Sequence, residues 1–215
     1  MREPAFFGTI LIAAALLTGG MVWAFQERTA ARAFDHAMTA NDARVLHENG
    51  RVRFVGASRP KLTAPDGTQR EVTSLLDLPG PMSFGDFIWN ERGAESGPIW
   101  VQVDPARQLI SVFRGGNEIG SAVIVYGSDG KPTPTGVFPV LAKVRDHQSS
   151  LYDAEMPFTL RLTRDGVAIH ASDVVRAHAT HGCVGVPIGF AEHLFAAVQV
   201  GDPVVITALP DSQKA

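Results

Sequence analysis

The sequence predicts a mainly β domain with one docked helix, preceded by an apolar N-terminal helix. Three observations lead there. From Ile99 onward, short runs rich in β-branched and aromatic residues alternate with turn residues. One later stretch, Phe190–Val200, has apolar residues at helical spacing. Residues 4–26 contain no charged residue, which is long enough to cross a hydrocarbon layer that takes about 20 residues.

The elements follow in chain order. Residues 1–26 read either as a cleaved signal peptide, with Val22 and Ala24 as the small residues before the cut, or as an uncleaved anchor with Trp23 at the interface. Both place the remainder in the cell envelope, outside the cytoplasmic membrane. Residues 27–96 form a stalk and lead-in. Within it, 27–48 is expected to be a polar, Ala-rich helix, followed by a linker of Gly, Pro and charge, with strand-like pieces such as Arg51–Val55, that becomes packed near Phe84–Trp89. The main domain spans 97–209, and 210–215 is a tail. Its strands are expected at IWVQV, LISVF, GSAVIVY, GVFPVLAKV, FTLRL, GVAIH and PVVIT, with RGGNE as a hairpin loop. In the helix, Phe190, Leu194, Phe195 and Val198 share one face, and Gly201 stops it.

Composition narrows the function classes. A chain of 215 residues, 45% apolar, supports one ordinary core with extensions. Its net charge of −3 gives the chain as a whole no electrostatic footprint for nucleic acid. The single cysteine, Cys183, excludes an internal disulfide. No internal repeat and no Gly-rich phosphate loop is present.

The stretch Gly166–Pro187, GVAIHASDVVRAHATHGCVGVP, holds that cysteine and three of the seven histidines. A thiol becomes a strong nucleophile only as thiolate, and its free pKa is about 8.5. A neighbouring imidazole can take the proton. Gly182 lets the backbone approach a substrate, and its N–H with that of Cys183 can face a developing oxyanion. Two histidines compete for the base role. His170 ends a strand-like run. His181 is two residues from Cys183, on the same side if the backbone is extended. Chemistry alone does not rank them.

These residues resemble the signature of the L,D-transpeptidase catalytic domain (YkuD-like): a histidine, a loop, then Ser/Thr-His-Gly-Cys. Here that is His170, a loop, then Thr180-His181-Gly182-Cys183. Lys131-Pro132-Thr133-Pro134-Thr135-Gly136-Val137-Phe138 is similar to the family's TP-x-G-x-F segment, and Met156-Pro157-Phe158, Gly166–His170 and Gly201–Ile206 resemble later parts of the domain. The resemblance implies a β-sandwich domain in which Cys183 attacks a carbonyl and His170 is the base, oriented by the Ala171 carbonyl. Thr180 and His181 shape the pocket, and the Gly182 and Cys183 N–H groups form the oxyanion hole. It implies peptidoglycan stem peptides as substrate, links between third residues as product, acylation by penem-type β-lactams, membrane attachment if the first helix is retained, and no cofactor. Two departures stand out. Only nine residues separate His170 from Thr180, and Gly185 occupies a position where many members carry Arg or Asn. The first is expected to alter the pocket rim, and the second to remove a substrate or structural contact.

His178, His181 and Cys183 could ligate a metal by residue type, but no further pair with zinc-site spacing joins them, and no metal is expected. His36, His47, His147 and His193 read as surface or helix-face residues, and Trp89 and Trp100 as core. The polar loop Asp146–Glu155, flanked by Asp146 and Asp153, reads either as a substrate lid or as a solvated loop.

Overall fold

The computed structural model describes residues 44–128, 130–149 and 154–209. The apolar segment of residues 1–26, most of the expected helix over 27–48, the tip of the polar loop and the tail lie outside these residues. Among the described residues, no helix is long and apolar enough to cross a membrane.

From Arg44 on, the stretch read as stalk and linker is strand-forming. β1 (Arg44–Glu48) and β2 (Arg51–Val55) pair antiparallel across the turn Asn49–Gly50. Both turn residues have positive φ, 56° and 69°, the backbone that Asn-Gly adopts in a two-residue hairpin turn. The expected helix therefore gives way to a strand at Arg44–Glu48, because hairpin pairing with β2 satisfies its backbone. β3 (Lys61–Thr63) and β4 (Gln69–Glu71) form a separate small hairpin. β5 (Ser74–Leu76) joins β2 to the main sheet, and β6 (Phe87–Trp89) pairs antiparallel with β9 (Asn117–Val123).

From Ile99 the expected strands appear. β7 (Ile99–Asp104), β8 (Leu109–Arg114) and β9 form an antiparallel meander, and β15 (Pro203–Ile206) runs parallel beside β7. The hairpin loop shrinks to Gly115–Gly116, because Asn117 and Glu118 are buried in β9. GVFPVLAKV divides between two sheets: β10 (Gly136–Pro139) pairs with β15, while β11 (Ala142–Val144) pairs with β12 (Thr159–Arg161). The second sheet has the order β11-β12-β13-β14, with β13 (Ala168–Ala171) and β14 (Val184–Val186) parallel. β14 has no counterpart among the sequence-based expectations, being three residues long with a glycine at its centre.

The core lies between the two sheets and the helix α1 (Ile188–Ala197). Val101, Val103, Ile110, Val112 and Ile206 meet Leu160, Ile169, Val184 and Val186, while Phe190 and Leu194 close the cluster from α1. Each such side chain contributes about 1.5–3 kcal/mol through burial. Trp100 is 3% exposed and stacks on Phe113. The Trp89 ring stacks on His193 at 5.2 Å and lies against Gly120, where a Cβ would come within 2.3 Å of it. Both tryptophans are therefore packing residues.

Candidate active site

The second sheet has two chemically different faces. Side chains alternate along a strand, so Ile169 and Ala171 of β13 point into the core with Val184 and Val186 of β14. Ala168 and His170 then belong to the opposite face. The parallel register pairs Ile169 with Val184 and His170 with Gly185. Extended back by one residue, it sets Cys183 beside Ala168, on His170's face and diagonal to it. Diagonal neighbours lie about 7–8 Å apart at Cα, within reach of an imidazole and a thiol.

His170 is buried, and its Nδ1 lies 2.8 Å from the Ala171 carbonyl oxygen. A carbonyl only accepts, so Nδ1 carries the proton and the neutral ring keeps its Nε2 lone pair for another donor. Burial pushes the imidazole pKa below its ordinary value. The Ala171 carbonyl acts the other way, and His147 adds to the lowering.

Cys183 is half-buried, and its thiol faces the Gly166 carbonyl at 3.7 Å. Burial raises the thiol pKa, while the Ala168 N–H and the charge of Lys131 oppose that rise. A raised thiol and a lowered imidazole describe a neutral pair at rest, with the proton on sulfur.

The turn carrying Cys183 is fastened on both sides. The Thr180 N–H donates to the Tyr126 carbonyl at 2.9 Å, and the Ser128 N–H donates to that of Thr180 at 3.1 Å. The Thr180 hydroxyl donates to the Cys183 carbonyl at 2.5 Å. Thr180 is thus a clamp on the main chain of Cys183. Gly182 has φ 103°, a left-handed conformation suited to glycine. That twist breaks the extended geometry that would align His181 with Cys183, and the His181 side chain is exposed. Among the described residues, the chain offers no acceptor to the N–H of Gly182 or Cys183.

Gly185 has a structural explanation. Its N–H donates to the Val125 carbonyl at 2.8 Å, and its carbonyl accepts from the Val125 N–H at 3.0 Å. A Cβ there would meet Val125 Cγ2 at 2.7 Å and Ser172 Cβ at 2.8 Å. The position is packed shut, so the expected loss of a substrate contact there is replaced by a requirement for close backbone approach. Arg176 and His178 are exposed in the loop between β13 and β14. The flanks of the polar loop pair with each other, the Ser149 N–H donating to the Ala154 carbonyl and that of Met156 to the His147 carbonyl. Asp153 lies outside the described residues. Among the described residues, no three His, Cys, Asp or Glu side chains are grouped to hold a metal.

Sequence reasoning assigned no role to Gly166, Ala168 or Lys131. The first two act through the main chain, which leaves no signal in residue type. Lys131 opens the Lys-Pro-Thr-Pro segment already singled out.

A sequence model of the L,D-transpeptidase catalytic domain matches residues 98–206. No curated protein matches the chain. Among solved structures, an L,D-transpeptidase from Stackebrandtia nassauensis is 21% identical, covers 56% of this chain and 60% of its own, and has a TM-score of 0.50. An L,D-transpeptidase from Mycobacterium tuberculosis H37Rv is 25% identical over 51% of this chain and 57% of its own, TM-score 0.48. L,D-transpeptidase 3 from Mycobacterium tuberculosis, in complex with a faropenem-derived adduct, is 20% identical over 51% and 60%, TM-score 0.48. The chain therefore spans about three fifths of the length of these proteins.

Proposed function

Because the chain belongs to the L,D-transpeptidase catalytic-domain family, we propose that it is a cysteine acyltransferase that cross-links peptidoglycan stem peptides, with Cys183 as nucleophile and His170 as base. The observation that carries this reading is the shared sheet face of Cys183 and His170, with Nδ1 of His170 engaged by Ala171 and Nε2 left available.

The donor is a stem tetrapeptide. As Cys183 Sγ attacks the carbonyl carbon of the third residue, His170 Nε2 takes the thiol proton. The C–S bond forms, the C–N bond to the terminal D-alanine breaks, and His170 returns the proton to the leaving amine. The tetrahedral oxygen faces the Gly182 and Cys183 N–H groups, each contributing about 3–4 kcal/mol of barrier lowering if typical of oxyanion donors. An amine of a second stem then attacks the thioester and loses its proton to His170. The new amide joins two third residues, and the proton returns to sulfur. The neutral resting pair suits this sequence, because proton transfer is coupled to attack. No cofactor enters these steps. The uncharged segment of residues 4–26 supports an envelope location, as a signal or an anchor in the cytoplasmic membrane.

The test is intact-mass analysis with a tetrapeptide donor. The wild-type chain is expected to gain the acyl tripeptide at Cys183 and to pass it to an added stem amine. C183A is expected to gain nothing, and full turnover by that variant would remove the assignment. Release of free tripeptide alone would make the acceptor water and the protein a carboxypeptidase. A penem, which presents a strained carbonyl to the same sulfur, is expected to add its mass to the wild type only.

A further inference from the structure

We propose that Lys131 is the specificity-determining cation of this site, its ammonium holding the free carboxylate of the residue that leaves when Cys183 is acylated. This rests on the donor chemistry proposed above.

The geometry begins with a tight loop. The Lys131 N–H donates to the Ser128 carbonyl at 2.9 Å, and the Gly127 N–H donates to Thr133 Oγ1 at 2.9 Å. A Cβ at Gly127 would fall 2.3 Å from the Lys131 carbonyl oxygen, so this approach requires glycine. On its other side the loop meets the nucleophile's neighbour: a Cβ at Gly182 would lie 3.6 Å from the Pro132 oxygen and 3.7 Å from that of Lys131. The main chain bearing Lys131 thus rests against the residue that precedes Cys183.

The charge reaches the same place. Burial raises the Cys183 thiol pKa, the Ala168 N–H opposes that rise, and Lys131 is the cation that adds to the opposition. Asp165, on the turn whose Gly166 carbonyl faces the sulfur, is held low first by a hydrogen bond from Thr163, with Lys131 adding to it. Lys131 is exposed on this loop, so its flexible side chain starts from a main chain seated against the residue before Cys183.

Substrate geometry supplies the role. In a donor cut before its last residue, three bonds (C–N, N–Cα and Cα–C) separate the scissile carbonyl carbon from the terminal carboxylate carbon, placing them about 4 Å apart. A flexible cation on a loop seated against the residue before Cys183 is placed to meet that carboxylate. Lysine suits the task as a compact charge on a flexible stem. β14 cannot supply one, since Gly185 has no room for a side chain. Arg176 is exposed on the loop between β13 and β14.

The experiment compares two donors on the full-length chain: a tetrapeptide ending in D-alanine, and the same peptide ending in the carboxamide. Acylation of Cys183 is followed by mass for wild type, K131M and K131R. The carboxamide isolates the anchor, because any effect of Lys131 on the thiol falls equally on both donors. K131M is expected to lose about tenfold or more in acylation efficiency on the carboxylate donor, the scale of one charge-assisted hydrogen bond, mainly through KM. It should lose less than about twofold on the carboxamide, below the scale of any hydrogen bond. K131R should recover most of the loss. Equal losses on both donors, or none on either, overturn the proposal while leaving the function above standing. A wild-type chain inert to both donors, yet alkylated by iodoacetamide at Cys183, overturns both.

Discussion

Two polar clusters are enclosed by β structure in this molecule, and they follow opposite rules. Around Arg51, which is fully buried, every guanidinium nitrogen has an acceptor: the carbonyls of Arg92, Asn90 and Glu118 and the Ser74 hydroxyl. Glu118 accepts from the Leu76 N–H at 2.9 Å and from the Ser111 hydroxyl at 2.6 Å, and Ser74 donates to Asn117 at 2.9 Å. Hydrogen-bonding capacity there is spent inside the chain, tying β2 and β5 to β8 and β9. At His170 and Cys183 it is held back. The imidazole commits Nδ1 alone, and the thiol has a carbonyl at 3.7 Å. A satisfied network stabilises the fold, whereas an incompletely satisfied pair is open to a substrate. The first should break in stability and the second in rate.

The largest expected effect is at the site. H170Q should lower acylation of Cys183 about 10²–10⁴-fold, the usual worth of a general base. Its unfolding free energy should fall by no more than about 1–3 kcal/mol, the cost of one buried hydrogen-bonding partner and less than at Arg51. Stopped-flow acylation and urea unfolding measure the two. If H181Q loses the rate and H170Q does not, the base must be reassigned.

R51M should do the reverse. Removing one partner from a buried charged network costs about 3–5 kcal/mol, and here it also leaves carbonyls without donors. Acylation per folded molecule should be unchanged. A mild R51M phenotype in urea would mean the network is not what joins the N-terminal strands to the sheet.

G185A should register on both scales, at about 1–3 kcal/mol for overpacking. Its methyl would collide with Val125 and Ser172, at a position two residues along the chain from Cys183. Unfolding and acylation measured on one preparation should therefore fall together, and separate responses would show that this strand can shift without moving Cys183.

The smallest effects are in pH dependence, and the two clusters should slope in opposite directions. Burial raises the Glu118 pKa, with Ser111, Leu76 and Arg51 opposing. The folded chain then holds a proton that the unfolded chain releases above about pH 4.3. That contribution is full at lower pH and is lost as pH rises through the folded value. His170, lowered chiefly by burial, makes the fold lose stability as pH falls below about 6.5, where the unfolded chain binds the proton first. E118Q should flatten the first slope and H170Q the second, each bounded by about 1.4 kcal/mol per pH unit. Urea midpoints from pH 4 to 8 would show it, and an unchanged slope in E118Q would mean that Glu118 is ionised beside Arg51.

Much of this was legible in residue order. Cys183, His170 and the Thr-His-Gly-Cys run stand within one short stretch, and their chemistry belongs to residue type. The strands from Ile99 onward and the period of Phe190 and Leu194 are local patterns, although the helix ends at Ala197, short of the expected Val200. So was the Asn49–Gly50 turn, which a helical reading of residues 27–48 obscured. Other features needed partners distant in the chain. The register of β13 against β14 decided that Cys183 shares a face with His170. The twist at Gly182 moved His181 out of alignment, and Val125 and Ser172 closed the space at Gly185. Asn117 and Glu118, polar enough to read as loop, became buried strand because Ser74, Leu76 and Ser111 satisfy them. Local preference is written in a few consecutive residues, but which face a side chain takes, and whether a polar group can be buried, depends on what the folded chain brings opposite it.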